Sequence, residues 1–351
     1  MKRKLFALVV VLGAVTFSAG AWDYEGHHAI NELALASLPR DFGGFELTPA
    51  LKGRIEYLAG EPDRWRNVGD LPLKNVNGPD HYIDLEDVKL FDLTPETLPL
   101  MRYDFMADIA KVRAAHPEKF PPIDPDKDAD HTRELDGFLP WAITENYEKL
   151  KSDFSSLKAF RQFGGTPEEI ANAQADCIYV MGVMGHYVGD GAQPLHTTDH
   201  HNGWVGPNPN GYSTWKGLHA WIDGGFLGKA GIKLDDLAPR IRPATGIPLN
   251  QRADGRDPMF VAVFDYLLGN FKLVEPLYQM EKAGKFSDQL EQAGKFHQDT
   301  QPVNAEGRAF IEGQLVKGGE MLGSIWLTAW KQAVPDTYLR SQLVKRQAGV
   351  K

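Results

Sequence analysis

A histidine and an aspartate four residues apart are the first feature of the sequence that could do chemistry. They are His186 and Asp190, and Gly191 and Pro194 follow them. On a helix, this spacing puts both side chains on one face, where they could grip one metal ion. The glycine and the proline predict the end of that helix. His196 then lies on the following turn and could serve a neighbouring ion.

A second pair with the same spacing is formed by His219 and Asp223. Imidazole and carboxylate are the ligands that zinc accepts when thiolates are absent. The single cysteine, Cys177, excludes an intramolecular disulfide framework and a Cys-based zinc cluster. One such pair alone is more often a helical His–Asp surface contact. Two pairs, with a third histidine after the predicted break, favour metal binding.

The first 21 residues have the pattern of a secretory signal peptide. Three basic residues precede an apolar run over residues 5–15, and Ala19-Gly20-Ala21 is a small-residue cleavage site. We therefore predict cleavage after Ala21, a mature chain of residues 22–351 and a secreted or periplasmic location. The apolar run is too short to span a bilayer, and an uncleaved N-terminal anchor helix is the alternative. Cleavage would create a free amine on Trp22.

The elements that must position these residues are predicted to be helices. The chain has 351 residues, 42% hydrophobic and 24% charged, and a formal net charge of −9, typical of a soluble globular protein without a broad basic surface. Segments with helical spacing or few breakers cover residues 28–38, 138–160, 167–188 and 305–334. Stretches that contain Gly, Pro, Asn and Asp residues predict loops over residues 67–80, 116–130, 198–212 and 237–258. We predict one all-α domain; a second domain is the alternative.

Five motifs along the chain contain the candidate ligands and residues close to them. The motifs are Trp22 with His27, Asp63-x-x-Arg66, His81-Tyr-Ile-Asp84-x-Glu-Asp, His186-x3-Asp190-x2-Gln-Pro-Leu-His196, and His219-x3-Asp223. Together they resemble the S1/P1 nuclease family, within the wider group that includes zinc-dependent phospholipase C. The matches span Trp22 to about Trp330, and the element with Gln-Pro-Leu is the most specific of them. Lys317-Gly318-Gly319, with Leu322 and Trp326, also resembles the family's last helix.

The resemblance implies an all-α fold of the phospholipase C/P1 nuclease type that holds three zinc ions per chain. The first ion would be bound by Asp63, His81, His186 and Asp190. The second would be bound by the amine and carbonyl of Trp22, by His27 and by Asp190, which would bridge the two ions. The third would be bound by His196, His219 and Asp223.

The chemistry that such a centre supports is hydrolysis of a phosphodiester. Two adjacent ions can share a hydroxide at neutral pH, and a third can stabilise the departing oxygen. A guanidinium can neutralise charge that grows on the phosphoryl oxygens, and Arg66 occupies the place of the family's arginine. We therefore predict Arg66, Asp63 and Asp190 as catalytic residues. A surface ion pair is the alternative role for Arg66.

Three residues favour single-stranded DNA or RNA, or a nucleotide, over a lipid. Asp223 matches the nucleases, whereas the phospholipases have Glu there. Tyr82 stands where the nucleases carry a base-stacking Phe, and Asp84 stands at their base-binding carboxylate. An aromatic platform with a carboxylate acceptor suits an unstacked base. Core packing is the alternative for Tyr82.

Two segments depart from the family pattern. Residues 88–137 look like an insertion near the site, and residues 197–212 lack the usual Gly-Gly-Asn stretch. His200 and His201 in the second segment are expected to be solvated loop residues. Cys177 is expected to be a packed small hydrophobe.

The leading hypothesis is a secreted, monomeric zinc phosphodiesterase that cleaves single-stranded nucleic acid and also acts as a 3′-nucleotidase. A zinc-dependent phospholipase C acting on phospholipid is the alternative within the same class, and neither requires stable membrane insertion. A non-catalytic zinc-binding protein and a metal-free structural helical protein are the alternatives from other classes.

Overall fold

The architecture was analysed in a computed structural model, which describes Trp22, residues 24–286 and residues 302–349. The predicted signal peptide, residues 1–21, lies outside the described residues. The all-α prediction is confirmed: the described residues form helices and connecting loops and contain no strand. The α-helices are α1 Tyr24–Ser37, α2 Pro49–Leu58, α3 Glu61–Asn67, α4 Leu71–Asn77, α5 Arg102–Ala115, α6 Leu139–Phe163, α7 Pro167–Ala192, α8 Leu218–Ala220, α9 Phe226–Ala230, α10 Leu234–Leu237, α11 Pro258–Phe271, α12 Val274–Lys282, α13 Ala305–Gln332 and α14 Thr337–Gln347.

The hairpin between α6 and α7 is specified by its own residues. Gly164 ends α6 with φ at 84°, a left-handed conformation that favours glycine. Thr166 then caps α7: its hydroxyl accepts a hydrogen bond from Glu169 N at 3.1 Å, and the Glu169 carboxylate accepts one from Thr166 N at 2.8 Å. Such a capping box contributes about 1 kcal/mol. These signals fix where α7, the helix that carries His186 and Asp190, begins.

The helices α1, α6, α7 and α13 pack around one hydrophobic core. Trp141, Phe154, Met181, Leu315 and Trp326 are among its fully or almost fully buried side chains. Burial of a large apolar side chain of this kind contributes about 1.5–3 kcal/mol. The long helices therefore form a rigid support for the residues they carry.

Asn31 fixes α1 against α2 and α7 at the centre of this support. It is fully buried, and its Nδ2 donates to the carbonyls of Ile55 at 2.9 Å and Gly182 at 3.2 Å. A Cβ at Gly185 would lie only 1.7 Å from Asn31 Oδ1, so the close approach of α1 and α7 requires glycine there. This contact sets His27 of α1 beside His186 of α7.

Two segments that the sequence assigned to loops or to an insertion contain helices. Residues 71–77 form α4 inside the predicted loop 67–80, because its breaker residues lie at the ends of the helix, where they are tolerated. The predicted insertion 88–137 contains α5, whose Phe105 stacks on Trp141 with ring centroids 4.7 Å apart. Among the described residues, no helix is both long and apolar enough to cross a membrane.

Candidate metal centre

Helices and short turns from distant parts of the chain carry the predicted ligands to one place. Asp190 on α7 lies at the centre: its carboxylate oxygens lie 3.5 Å from His27 Nε2, 3.0 Å from His81 Nδ1, 3.4 Å from His186 Nε2 and 3.7 Å from His196 Nδ1. His81 ends the 3₁₀ turn Gly78–His81, and His196 lies in the 3₁₀ turn Pro194–Thr197.

Eight predicted ligand side chains form three groups that could hold metal ions, with the ligand atoms of each group within 4.8 Å of one another. We name each group by its aspartate. The Asp63 group also contains His81 and His186, the Asp190 group contains His27 and His186, and the Asp223 group contains His196 and His219. His186 belongs to two groups, whereas the resemblance implied that Asp190 alone would be shared.

The pair His219 and Asp223 keeps its spacing on an irregular helix. His219 lies in the short helix α8, and Asp223 lies in a π-helical turn over Trp221–Gly225. His219 Nε2 lies 2.7 Å from Asp223 Oδ2 and 2.9 Å from His196 Nε2. A single π turn is frequently found at functional sites, where it re-aims one side chain.

Backbone carbonyls and one amide orient these ligands. His186 Nδ1 lies 2.6 Å from the carbonyl of Ala59, and His196 Nδ1 lies 2.5 Å from the carbonyl of His81. A carbonyl only accepts, so each Nδ1 carries the proton and each Nε2 keeps its lone pair available to a metal ion. Gln193 Nε2 donates to Asp223 Oδ1 at 2.5 Å, which leaves Asp223 Oδ2 on the side that can face a metal ion.

Burial shapes the charge state of the whole centre. Burial lowers the pKa of His186 to about 3 and lowers the pKa of His81 and His196 well below the usual value for histidine. Burial likewise raises the pKa of Asp190 and Asp223. The imidazoles are therefore neutral and able to act as ligands, and the buried carboxylates need a cation to be stable when ionised.

Unpartnered buried atoms show that the donor set fits metal ions. Asp190 Oδ1 and His81 Nε2 are buried and make no hydrogen bond. A buried polar atom without a partner costs about 1–3 kcal/mol, and more when it is charged. A bound cation would take up these lone pairs and offset the buried negative charge.

Trp22 lies next to the part of α7 that carries the predicted ligands. Its side chain is fully buried, and its Nε1 donates to the carbonyl of Gly189 at 2.9 Å. Gly189 directly precedes Asp190 in the chain. Ligation by the amine of a chain that begins at Trp22 stays a prediction.

Arg66 lies beside the ligand side chains. Its Nε lies 2.7 Å from Asp63 Oδ1, and both side chains are 18% exposed. After burial, its positive charge is the next cause that lowers the pKa of His81 and His186. The ion pair that the sequence left as an alternative is present. Because Asp63 is itself a candidate ligand, the pair also holds the guanidinium next to the metal-binding groups.

A cavity of about 460 Å³ opens beside the Asp63 and Asp223 groups, and Arg66, Tyr82, Asp84 and His219 line it. The hydroxyl of Tyr82 donates to the carbonyl of Leu135 at 3.2 Å, which fixes the aromatic ring at the cavity wall. Burial and the nearby Asp136 raise the pKa of Asp84, whose Oδ1 makes no hydrogen bond. Both predicted substrate-binding residues therefore lie at the cavity.

His200 and His201 are partly buried, which departs from the expectation that they are solvated loop residues. The His200 side chain is 15% exposed and stacks on Trp204 with ring centroids 3.9 Å apart. His201 lines the cavity, its ring centroid 6.0 Å from that of His219, and burial lowers its pKa to about 4.

A fourth group of potential ligands was missed at the sequence level: Glu86, Asp199 and His200. The Glu86 carboxylate already accepts hydrogen bonds from the hydroxyl of Thr198 and from Asp199 N. His200 Nδ1 lies 3.0 Å from Asp199 Oδ1. These contacts tie the loop to the segment after His81, and no local motif joins residues so far apart in the chain.

The fold and the site define an all-α protein in which buried His and Asp side chains form adjacent groups able to hold metal ions. Comparisons of the chain with known protein families, with curated proteins and with solved structures find no match.

Proposed function

We propose that the protein is a secreted, zinc-dependent phosphodiester hydrolase of the S1/P1 nuclease type that cleaves single-stranded nucleic acid. The observation that carries the proposal is the convergence of eight predicted ligand side chains in three adjacent groups, with Arg66 beside them. A metal-free structural role would leave the unpartnered buried atoms of this centre unexplained.

Zinc suits the donor set better than calcium or magnesium. Each group combines imidazole nitrogen with carboxylate oxygen, whereas the hard cations prefer oxygen alone. The Asp63 and Asp190 groups would hold two neighbouring ions. His186, whose free lone pair is on Nε2, would bind the ion of the Asp63 group, and His27, Asp190 and the amine of Trp22 would bind the second ion. The Asp223 group would hold the third.

The residues of this chain have separate tasks in the proposed reaction. Bound zinc would supply an activated water and neutralise the charge of the leaving group. Arg66, held by Asp63, would bind a non-bridging phosphoryl oxygen and stabilise the charge that develops on it. Asp190 would hold the ligand set together, and Gln193 would keep the Asp223 carboxylate aimed at its ion.

Tyr82 and Asp84 support nucleic acid as the substrate class. Both line the cavity next to the ligands, so a base unstacked from a single strand could contact the ring and the carboxyl group. A base-paired strand keeps its bases stacked and would not offer this contact, which favours single-stranded substrates.

Metal content and cleavage together test the proposal. Protein that begins at Trp22 should contain three zinc ions per chain by elemental analysis and should cleave single-stranded DNA and RNA. A chelator should abolish both, and added zinc should restore both. Cleavage of phosphatidylcholine alone would support the phospholipase C. Zinc without any turnover would support a non-catalytic zinc-binding protein, and less than one zinc per chain would contradict metal binding.

The N-terminus gives an independent prediction. A form that retains extra residues before Trp22 should lose about one zinc ion and most of its activity, because an amide nitrogen cannot replace the free amine as a ligand. Elemental analysis and cleavage rates of the extended and trimmed forms check this. Removal of the extra residues by a protease should restore both, and equal zinc content and activity in the two forms would contradict the amine ligand.

A further inference from the structure

The segment of residues 127–135, which we call the cleft wall, lines the same cavity as the metal ligands. Lys127, Asp130, Thr132, Arg133 and Leu135 all contribute to the lining. The cleft wall belongs to the stretch that departs from the family pattern, so the motif resemblance assigns it no role. Its position makes it part of whatever surface the substrate meets.

Hydrogen bonds fasten the cleft wall to the part of the chain that carries the ligands. Asn75 Nδ2 donates to the carbonyl of Asp130 at 2.8 Å, and the Tyr82 hydroxyl donates to the carbonyl of Leu135 at 3.2 Å. Just beyond it, Asp84 N donates to the carbonyl of Asp136 at 2.8 Å. The cleft wall is thus held in register with His81 and Tyr82, and its side chains have a defined place beside the site.

Arg133 is the arginine of the cleft wall. Its backbone N–H donates to the buried Asp128 at 3.1 Å, and its Nε donates to the carbonyl of Lys127 at 2.7 Å. Among the described residues, no carboxylate oxygen lies within 4.0 Å of its side chain, and the residue is exposed. By contrast, Arg66 is paired with Asp63, and Lys127 is paired with Asp124 at 2.9 Å.

The neighbouring carboxylate does not neutralise Arg133. Asp130 Oδ1 accepts a hydrogen bond from the Thr132 hydroxyl at 3.1 Å, which holds it within the turn. In a chain with a formal net charge of −9, an unpaired guanidinium held at the mouth of the cavity is a local anion-binding feature. Its planar donors match the oxygens of a phosphate group.

We propose that Arg133 binds a backbone phosphate of the substrate strand beyond the phosphate that is cleaved. The inference rests on the proposed function and deepens it, because it makes the preferred substrate an oligonucleotide with several phosphates. Arg66 acts on the phosphate at the metal ions, and Arg133 acts on a neighbouring one. A substrate with a single phosphodiester has no group for Arg133 to bind.

The test compares two substrates and four proteins. The substrates are a dinucleoside monophosphate and a single-stranded octathymidylate, both assayed with zinc-loaded protein that begins at Trp22.

Arg133→Ala should lower kcat/KM on the octathymidylate by about tenfold, because KM rises while kcat stays unchanged. It should change kcat/KM on the dinucleoside monophosphate by less than about twofold, since the chemistry at the single phosphate is intact. Arg133→Gln, whose amide can still donate to the Lys127 carbonyl, should behave like Arg133→Ala.

Arg256→Ala is the matched control, because its Nη2 also donates to a backbone carbonyl, that of Pro95 at 3.0 Å, and it lies outside the cavity lining. It should leave both substrates unaffected. The salt dependence of kcat/KM is a second measurement, and it would not change if Arg133 only stabilised the fold. The slope of log kcat/KM against log salt on the octathymidylate should become shallower by about 0.7 in Arg133→Ala, the value for one phosphate contact to a single strand.

The possible results separate the role of Arg133 from the proposed phosphodiesterase activity. An equal loss on both substrates, no loss on either, or an unchanged salt slope overturns the role of Arg133 while the proposed function stands. Failure of the wild-type protein to cleave either substrate overturns the proposed function, and the role of Arg133 with it.

Discussion

Asp190→Asn is expected to lower cleavage of single-stranded DNA by about 10⁴-fold or more and to lower the zinc content from three ions to one. The reason is its central position: its carboxylate lies within 3.7 Å of nitrogen atoms of four histidines. The amide has almost the same shape but no negative charge, so the adjacent Asp63 and Asp190 groups lose the carboxylate that lies among their histidines. Elemental analysis and initial cleavage rates measure both effects.

The free energy of unfolding of Asp190→Asn, measured with and without zinc, distinguishes loss of metal from loss of folding. Without metal, Asp190→Asn should be at least as stable as the wild type, because the wild-type carboxylate is fully buried and disfavoured when ionised. Zinc at about 1,000 times its dissociation constant should stabilise the wild type by about 4 kcal/mol and the variant by less.

Asp153→Asn is the matched control for Asp190→Asn, because burial also raises the pKa of Asp153, to about 6, and it lies on α6 away from the ligand groups. It should keep full activity and zinc content. Three bound zinc ions and normal turnover in Asp190→Asn would contradict the arrangement of the centre.

Arg66→Ala is expected to lower kcat by about 10²–10³-fold while the zinc content stays at three ions. Arg66 is not itself a ligand, so its loss removes stabilisation of the developing charge on the phosphoryl oxygens and leaves the metal ions in place. Arg66→Lys should recover only part of the rate, because a single ammonium cannot reproduce the planar pair of donors. Single-turnover rates on a dinucleoside monophosphate measure the effect on the chemical step.

Arg64→Ala is the matched control two residues earlier on α3. Arg64 also forms an ion pair three residues apart, with Glu61 at 3.2 Å, but it does not line the cavity. Its replacement should leave kcat within about twofold of the wild type. Equal losses in Arg64→Ala and Arg66→Ala would indicate that the ion pairs stabilise α3 and that Arg66 has no role in the reaction. An unchanged rate in Arg66→Ala would contradict a catalytic role for Arg66.

Local sequence patterns predicted the helices that carry the centre. The scarcity of breakers over residues 167–188 predicted α7, and Gly191 and Pro194 predicted its end, because breakers act within one or two turns. The four-residue spacing of His186 and Asp190 likewise required only the helical period. The same reasoning missed α4, whose seven residues are bounded by breakers, and α5, whose helix was hidden in a segment taken as an insertion.

The nine ligand positions of the candidate site were chosen from motifs, and the structure brings eight of their side chains together. Tyr82 and Asp84 reach the cavity as well. The partial burial of His200 and the position of Arg133 could not be predicted, because each depends on how a loop packs in the folded chain. The membership of His186 in two groups also depends on tertiary packing, because His27 comes from α1 and Asp63 comes from α3.

The sequence by itself determined the residue types, their periodicity and the helical class, since these depend on steric preferences and hydrogen bonds between near neighbours in the chain. Only the tertiary structure decided which side chains meet: His81 and His186 are 105 residues apart and lie 3.0 Å from each other through ring nitrogens. Such distances are set by how the helices pack, where the close contact at Gly185 and the buried core hold α1 and α7 in one arrangement.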